Sequence, residues 1–346
     1  MSPSHWWSLR SRSSEVNRAP EAPVRSGRTA PGPATRRRAF KVGVTLAVSN
    51  TIIGAGQPAL TRWGATNLDP LLFCTGAVVV AALFCVVSMY SRGELKLVFR
   101  RAFRLRLALM SATGTMATSL LLTFGMTRIN AIATTILLQS EPIYSLVLAI
   151  IVVRERPSNR QLLATATILV GIASVFATGG AFSPVWAALM VLITPLLWQT
   201  SHVMGLSMMP PLSPLTVTSG RMIYAAIGLG ALLIFARPAT LPELANVGAL
   251  TIIAVTGFFV YFLSALTWYG AISRLSLTWT TALVVPAIPL LSILFAVVFL
   301  GERATAREIL GVLIAVAGVL ALVLGADAHR QHPAGDAVEA VHQPLT

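Results

Sequence analysis

Residues 134–171 and 281–318 are two copies of one sequence. A shift of 147 positions lays Thr134 on Thr281, Pro142 on Pro289, Ser145 on Ser292 and Ala149 on Ala296. The same shift lays Glu155-Arg156 on Glu302-Arg303, Arg160 on Arg307, Leu163 on Leu310 and Gly171 on Gly318. Nine of 38 aligned positions are identical, and most other pairs are apolar on apolar. Each copy reads as an apolar helix, a short charged turn and a second apolar helix. Weaker matches extend the repeat with gaps, pairing Pro70 with Pro214, Gly76 with Gly220 and Gly125 with Gly270. A chain duplicated in this way must build two like halves.

The solvent for those halves follows from composition. Of 346 residues, 55% are hydrophobic and 11% charged. About 20 apolar residues at 1.5 Å each cross the hydrocarbon core of a bilayer. Ten such spans are expected, at 42–61, 70–90, 105–125, 131–153, 161–178, 184–206, 214–236, 246–269, 277–300 and 306–325. The runs are continuous rather than alternating, which argues against a membrane β-barrel. The expected fold is therefore all-α and polytopic. Residues 1–40 (basic and rich in Ser, Pro and Gly) and 326–346 (polar) are expected to be disordered tails. The first tail reads as a basic cytoplasmic segment, with an organellar transit peptide left open because it is rich in Arg and poor in acids. Cys74 and Cys85 fall in one expected helix, about 16 Å apart along its axis, too far to bridge.

The net charge of +14 is distributed as topology, not as a nucleic-acid surface: nine of 26 Lys and Arg lie in the first 41 residues and six more between Arg92 and Arg106. With the N-terminus inside, ten spans place 20 of them on the cytoplasmic side and five outside, a positive-inside bias that puts both termini in the cytoplasm. Five spans per half is an odd number. The second half, 179–325, is then upside down relative to the first, 41–178. Glu155-Arg156 would lie inside and Glu302-Arg303 outside.

A five-plus-five inverted repeat, each half closing on a Pro-containing helix, a Glu-Arg turn and a Gly-bearing helix, resembles the EamA type of the drug/metabolite transporter superfamily. The residues that carry the resemblance are Glu141-Pro142 through Glu155-Arg156 and Pro289 through Gly301-Glu302-Arg303. Arg221, early in the seventh span, also fits the family pattern. The resemblance implies a ten-helix fold, a cavity between the halves and alternating access. It implies substrates among amino acids, nucleobase-like metabolites, cationic drugs and sugar derivatives, often moved outward.

Glu141 and Arg221 are the charged residues well inside the expected spans. A charge near mid-bilayer costs at least ~2.5–3.5 kcal/mol, so it needs a partner or a wet cavity. On a continuous helix Thr134, Leu138, Glu141 and Ser145 share one face, matched by Thr281, Val285, Ile288 and Ser292 in the second copy. The charge stands in the first copy alone. Glu141 is expected to serve substrate or protons, the alternative being an ion pair with Arg221 that locks helices. Arg221 reads as a gating or ion-pair residue, with a substrate carboxylate or snorkelling as alternatives. Pro142, Pro286 and Pro289 are expected helix kinks. Trp198, Gln199 and His202 form the most polar mid-to-late stretch in any span. Together with Asn50, Gln57, Gln139, Tyr261 and Trp268 they are candidates for lining a substrate site. Ala164, Gly171, Gly311, Ala315 and Gly318 read as close-packing positions, a homodimer seam being left open.

The chain carries no phosphate loop, no HExxH metal motif and no acidic pair at catalytic spacing, so neither an enzyme nor an ATPase is indicated, and no cofactor or metal is expected. The reading is a secondary transporter in the plasma or inner membrane, moving a small metabolite, amino acid or drug-like solute by alternating access, as an exporter in the first instance and with proton coupling open. The lipid bilayer and the solute are its expected partners, with protons left open. A non-transporting receptor or scaffold and a membrane-embedded enzyme are the rival readings.

Overall fold

The structure, a computed structural model, describes residues 33–148, 150–151, 158–176, 184–208, 212–272, 274–275, 284 and 286–327. The chain falls into two units, 1–39 and 40–346. The smaller contributes the start of α1 among the described residues. The expected Glu155-Arg156 turn, Arg154, Thr281 and Val285 lie outside the described residues, as do residues 1–32 and 328–346 of the two tails.

All described secondary structure is helical. The first half contains α1 (Pro33–Asn67), α2 (Pro70–Ser91), the one-turn α3 (Leu95–Val98) and α4 (Arg101–Ser111). Helix α4 runs through a π-helical turn, Ala112–Ala117, into α5 (Thr118–Gly125). Then come α6 (Ala131–Leu138), α7 (Glu141–Leu148) and α8 (Asn159–Phe176). The second half contains α9 (Val185–Leu206), α10 (Pro214–Ala236), a 3₁₀ segment Pro238–Ala245 and α11 (Val247–Val255). A second π turn, Thr256–Leu263, leads into α12 (Ser264–Ile272), followed by α13 (Ala287–Leu300) and α14 (Ala306–Asp327). Seven of the described helical stretches are long and apolar enough to cross a membrane, and Ala287–Leu300 is a shorter apolar helix. Helices α8 and α14 stand where the fifth and tenth spans are expected.

Polar caps at the helix starts explain the boundaries. Asp69 Oδ1 accepts from the backbone N–H of Leu71 and Leu72 at 2.9 and 3.0 Å, and Pro70 follows at the position where its missing N–H costs nothing. Ser213 and Pro214 start α10 in the same way. The two last helices of the halves begin on matched capping boxes. Ser158 N–H donates to Gln161 Oε1 at 2.8 Å, and 147 positions on Thr305 N–H donates to Glu308 Oε2 at 2.8 Å.

The halves pack counterpart on counterpart. Helix α2 lies on α10, and α8 on α14. The start of α2 meets the end of α10 through an Asp69–Arg237 ion pair at 3.7 Å, while Glu94, beyond the other end of α2, accepts from Thr216 Oγ1 at the start of α10 at 3.2 Å. These two helices therefore run in opposite directions. So do α8 and α14. A Cβ added at Gly171 would stand 2.6 Å from the Gly311 carbonyl oxygen and 2.7 Å from the Ala315 nitrogen, and one at Gly318 would stand 2.9 Å from the Ala164 oxygen. The small residues are thus consumed in a backbone-to-backbone contact within the chain. Cys74 and Cys85 are free and buried.

The Glu-Arg turn of the second copy has a definite task. Gly301 ends α13 at φ 66°, a left-handed conformation that suits glycine, and turns the chain so that Glu302 reaches back. Its carboxylate accepts from the N–H groups of Ala131 and Ile132 at 2.8 and 3.1 Å, capping α6 of the other half. Arg62 of α1, whose guanidinium donates to the Met126 carbonyl, lies within electrostatic reach of the same carboxylate.

Candidate functional site

Two helices that sequence periodicity treats as continuous are interrupted. The expected fourth span breaks at Gln139 and Ser140 into α6 and α7. Pro142 causes this: its ring clashes with the carbonyl four residues back and it donates no N–H. It sits in the first turn of α7 rather than at a mid-helix kink. In the second half Pro286 is the N-cap of α13, and Pro289 lies buried in that helix's first turn. These prolines begin half-helices. The single-face expectation fails for the same reason. Past the break the register resets, so Ser145 is exposed on the outer surface of α7, while its counterpart Ser292 is buried. Thr134 is buried away from the cavity, and its neighbour Thr135 takes the lining position.

At the breaks lies a cavity of about 280 Å³, lined by residues of both halves. Glu141, the first residue of α7, lines it, and so does Ile288 of α13, its counterpart in the repeat. Gln199 Nε2 of α9 donates to Glu141 Oε1 at 2.6 Å. Gln199 itself is not part of the wall; it stands behind the carboxylate and orients it. Gln139, in the turn between the half-helices, is 7% exposed and lines the cavity with a long 3.5 Å bond to the Thr135 carbonyl.

The remaining candidates converge on the same space. Trp198 and His202 of α9, Tyr261 of the second π turn, Trp268 of α12, and Asn50 and Gln57 of α1 all line it. Several already have partners. Asn50 Nδ2 donates to the Ser264 carbonyl at 2.8 Å and to Thr267 Oγ1 at 3.1 Å, joining α1 to α12. Tyr261 and Ser119 hydroxyls share a 3.0 Å bond across the halves.

Arg221 of α10 lines the cavity too, and no ion pair joins it to Glu141 among the described residues. Its backbone carbonyl is held by Ser111 Oγ at 2.8 Å, whereas its Nε is buried without a hydrogen-bond partner. Its charge acts on His202 and Tyr261. Thr115 Oγ1 and Ser292 Oγ are likewise buried, unpartnered and in cavity-lining residues. Among the described residues no three His, Cys, Asp or Glu side chains stand close enough to hold a metal.

Sequence reasoning missed the π turns, which bring Gly114, Thr115 and Val260 to the wall. π turns concentrate at functional sites because the extra residue redirects side chains out of the helical register. The two stand at equivalent places: the shift of 145 that pairs Gly125 with Gly270 also lays Ala112–Ala117 within Thr256–Leu263, and Ser119 on the cavity-lining Ser264. A signal was present in the run of hydroxyl residues from Ser111 to Ser119. A Cβ added at Gly114 would stand 2.0 Å from Ser201 Oγ, so the first π turn crosses α9 closely.

Three comparisons bear on this arrangement. The sequence signature of the EamA-like transporter family matches residues 41–177 and 185–324, one match per half. No curated protein matches the chain by sequence. A solved crystal structure, 16% identical, superimposes with a TM-score of 0.60 over 85% of this chain and 99% of its own, a likeness of fold.

Proposed function

Because the chain belongs to the EamA-like transporter family, a group of multi-pass membrane transporters of the drug/metabolite type, we propose that it is a secondary active exporter of a small metabolite, amino acid or drug-like solute. The family points to transport rather than enzymatic turnover. Solute enters the cavity at the two half-helices and is released on the other side when one half rocks against the other.

The observation that carries this reading is the placement of Glu141. A carboxyl at the broken start of α7, in a cavity lined by both halves, is positioned where each half can present it to a different side. Its contact with Gln199 of the other half couples its position to their relative movement. A carboxyl in that place also suits exchange of a proton for solute. The opposite running of α2 against α10 and of α8 against α14 supports a ten-span fold in two inverted repeats. The charge bias supports a plasma or inner membrane location with both termini cytoplasmic.

Reconstitution in proteoliposomes tests the proposal. Saturable efflux of a solute, accelerated by an opposing pH gradient and lost in Glu141→Gln, is the expected result. Protein that binds solutes without moving them across the vesicle wall would overturn it in favour of a receptor.

A further inference from the structure

We propose that Arg221 is the seat of an oxyanion, so that the transported solute carries a carboxylate or phosphoryl group on a flat, apolar body. The inference deepens the transporter reading, since it takes the cavity to be the solute's site.

A guanidinium buried in a membrane protein needs acceptors. A buried polar group left without a partner is costly, and more so when it is charged. Arg221 lines the cavity, and among the described residues no carboxylate pairs with it and its buried Nε has no partner. The obvious intramolecular candidate, Glu141, is bonded to Gln199. The other groups that feel its charge do not neutralise it: His202 brings no negative charge, the Tyr261 hydroxyl is shared with Ser119, and Cys85 is a buried free thiol rather than a carboxylate. Thr115 contributes a further unpartnered hydroxyl to the same wall.

The side chain also projects from a fixed base. Ser111 holds the Arg221 carbonyl, and Gly220 beside it lets Leu107 of α4 approach to 2.9 Å of where a Cβ would be. A planar fork rising from an anchored stretch of helix is suited to bidentate binding of a carboxylate or phosphoryl group. Trp198 and Trp268 line the same cavity and offer flat surfaces to the remainder of the molecule.

The test compares matched solutes on the detergent-purified full chain: phenylacetate, phenyl phosphate, phenylacetamide and phenethylamine. A ligand that binds the folded state raises the melting midpoint. Phenylacetate or phenyl phosphate should raise it while the amide and the amine do not, and whichever acid acts names the group. Arg221→Gln should abolish the shift, and Arg221→Lys should weaken the affinity about tenfold, because an ammonium cannot reproduce the fork. Equal stabilisation by the amide, a shift that survives Arg221→Gln, or no shift with either acid overturns the proposal. If Arg221→Gln does not fold, the acid-against-amide contrast on the unaltered protein and the Arg221→Lys value decide. Flux separates this inference from the one beneath it. Acids that bind through Arg221 but never cross the vesicle wall refute transport and leave the anion seat standing. Saturable flux of neutral or cationic solutes, unchanged in Arg221→Lys, does the reverse.

Discussion

Helices α7 and α13 start alike and are used differently. Both follow an interruption, both carry a proline in the first turn, and both send a residue of the repeat's matched position into the cavity. In α7 that residue is Glu141, held by Gln199 of the opposite half; in α13 it is Ile288. The frame is doubled while the chemistry is single. Duplication explains the breaks, the π turns, the capping boxes and the glycine contacts, since those serve folding and rocking in both halves. It does not explain Glu141 or Arg221, whose counterparts Ile288 and Ala77 carry no charge. A symmetric frame can swing; an asymmetric lining can recognise one solute.

The comparison breaks most severely at the frame. Gly171→Leu drives a side chain into the backbone of α14, where rigid peptide atoms stand 2.6–2.7 Å from the first added carbon. Overpacking of this kind costs about 3 kcal/mol. The melting midpoint in detergent should fall steeply. The mirror-image change Gly318→Leu should cost a similar amount, because it meets α8 backbone at 2.9 Å. A large loss in one and none in the other would deny that the seam is shared evenly.

The next effect concerns the lining. Glu141→Gln keeps an oxygen for the Gln199 amide to donate to, so folding should be preserved while transport falls by about 100-fold, ~2.7 kcal/mol in barrier terms. Ile288→Val, at the counterpart position, should leave transport within about twofold of the unaltered rate, a difference well below 1 kcal/mol. Equal sensitivity at both positions would show that the lining is as symmetric as the frame. Gln199→Ala should act more weakly than Glu141→Gln. It removes one hydrogen bond to a carboxyl, worth roughly 1.5 kcal/mol or about tenfold in flux, and initial-rate measurements in proteoliposomes would resolve the two.

How much of this could be read from the chain depended on the kind of interaction. Helix extents were legible because membrane spans are long apolar runs, and α2, α9 and α10 begin and end within a residue or so of expectation. Glu141, Arg221, Trp198 and His202 were legible as polar groups where polar groups are costly, and the structure brings them to one cavity. The consequences of proline were only half legible. Pro142 announces a lost hydrogen bond, but whether the helix bends or breaks depends on what neighbouring helices allow, and the break moved Ser145 off the lining face. The π turns left no trace in hydrophobic periodicity, and the hydroxyl run from Ser111 to Ser119 that accompanies the first of them does not by itself specify a π turn. Glu302 was visible as half of a repeated pair. Its cap on α6 was not, because that partner lies about 170 residues away.

The smallest predicted loss of stability is the most exacting about the repeat itself. Ser158 and Gln161 differ in identity from Thr305 and Glu308, yet each pair makes the same reciprocal capping box at the start of α8 or α14. Loss of the hydroxyl from such a cap costs about 1 kcal/mol. Ser158→Ala and Thr305→Ala should therefore each lower the melting midpoint by a comparable, modest amount. The Thr305 variant should lose slightly more, because its hydroxyl also donates to Glu308 Oε2 at 2.9 Å and a bond to an ionised carboxylate is the stronger kind. Since the caps lie more than one hundred residues apart in sequence and serve helices packed on each other, the double variant distinguishes two pictures. Additive losses mean two independent helix starts. A loss smaller than the sum means that fraying one end has already loosened the seam the other end supports.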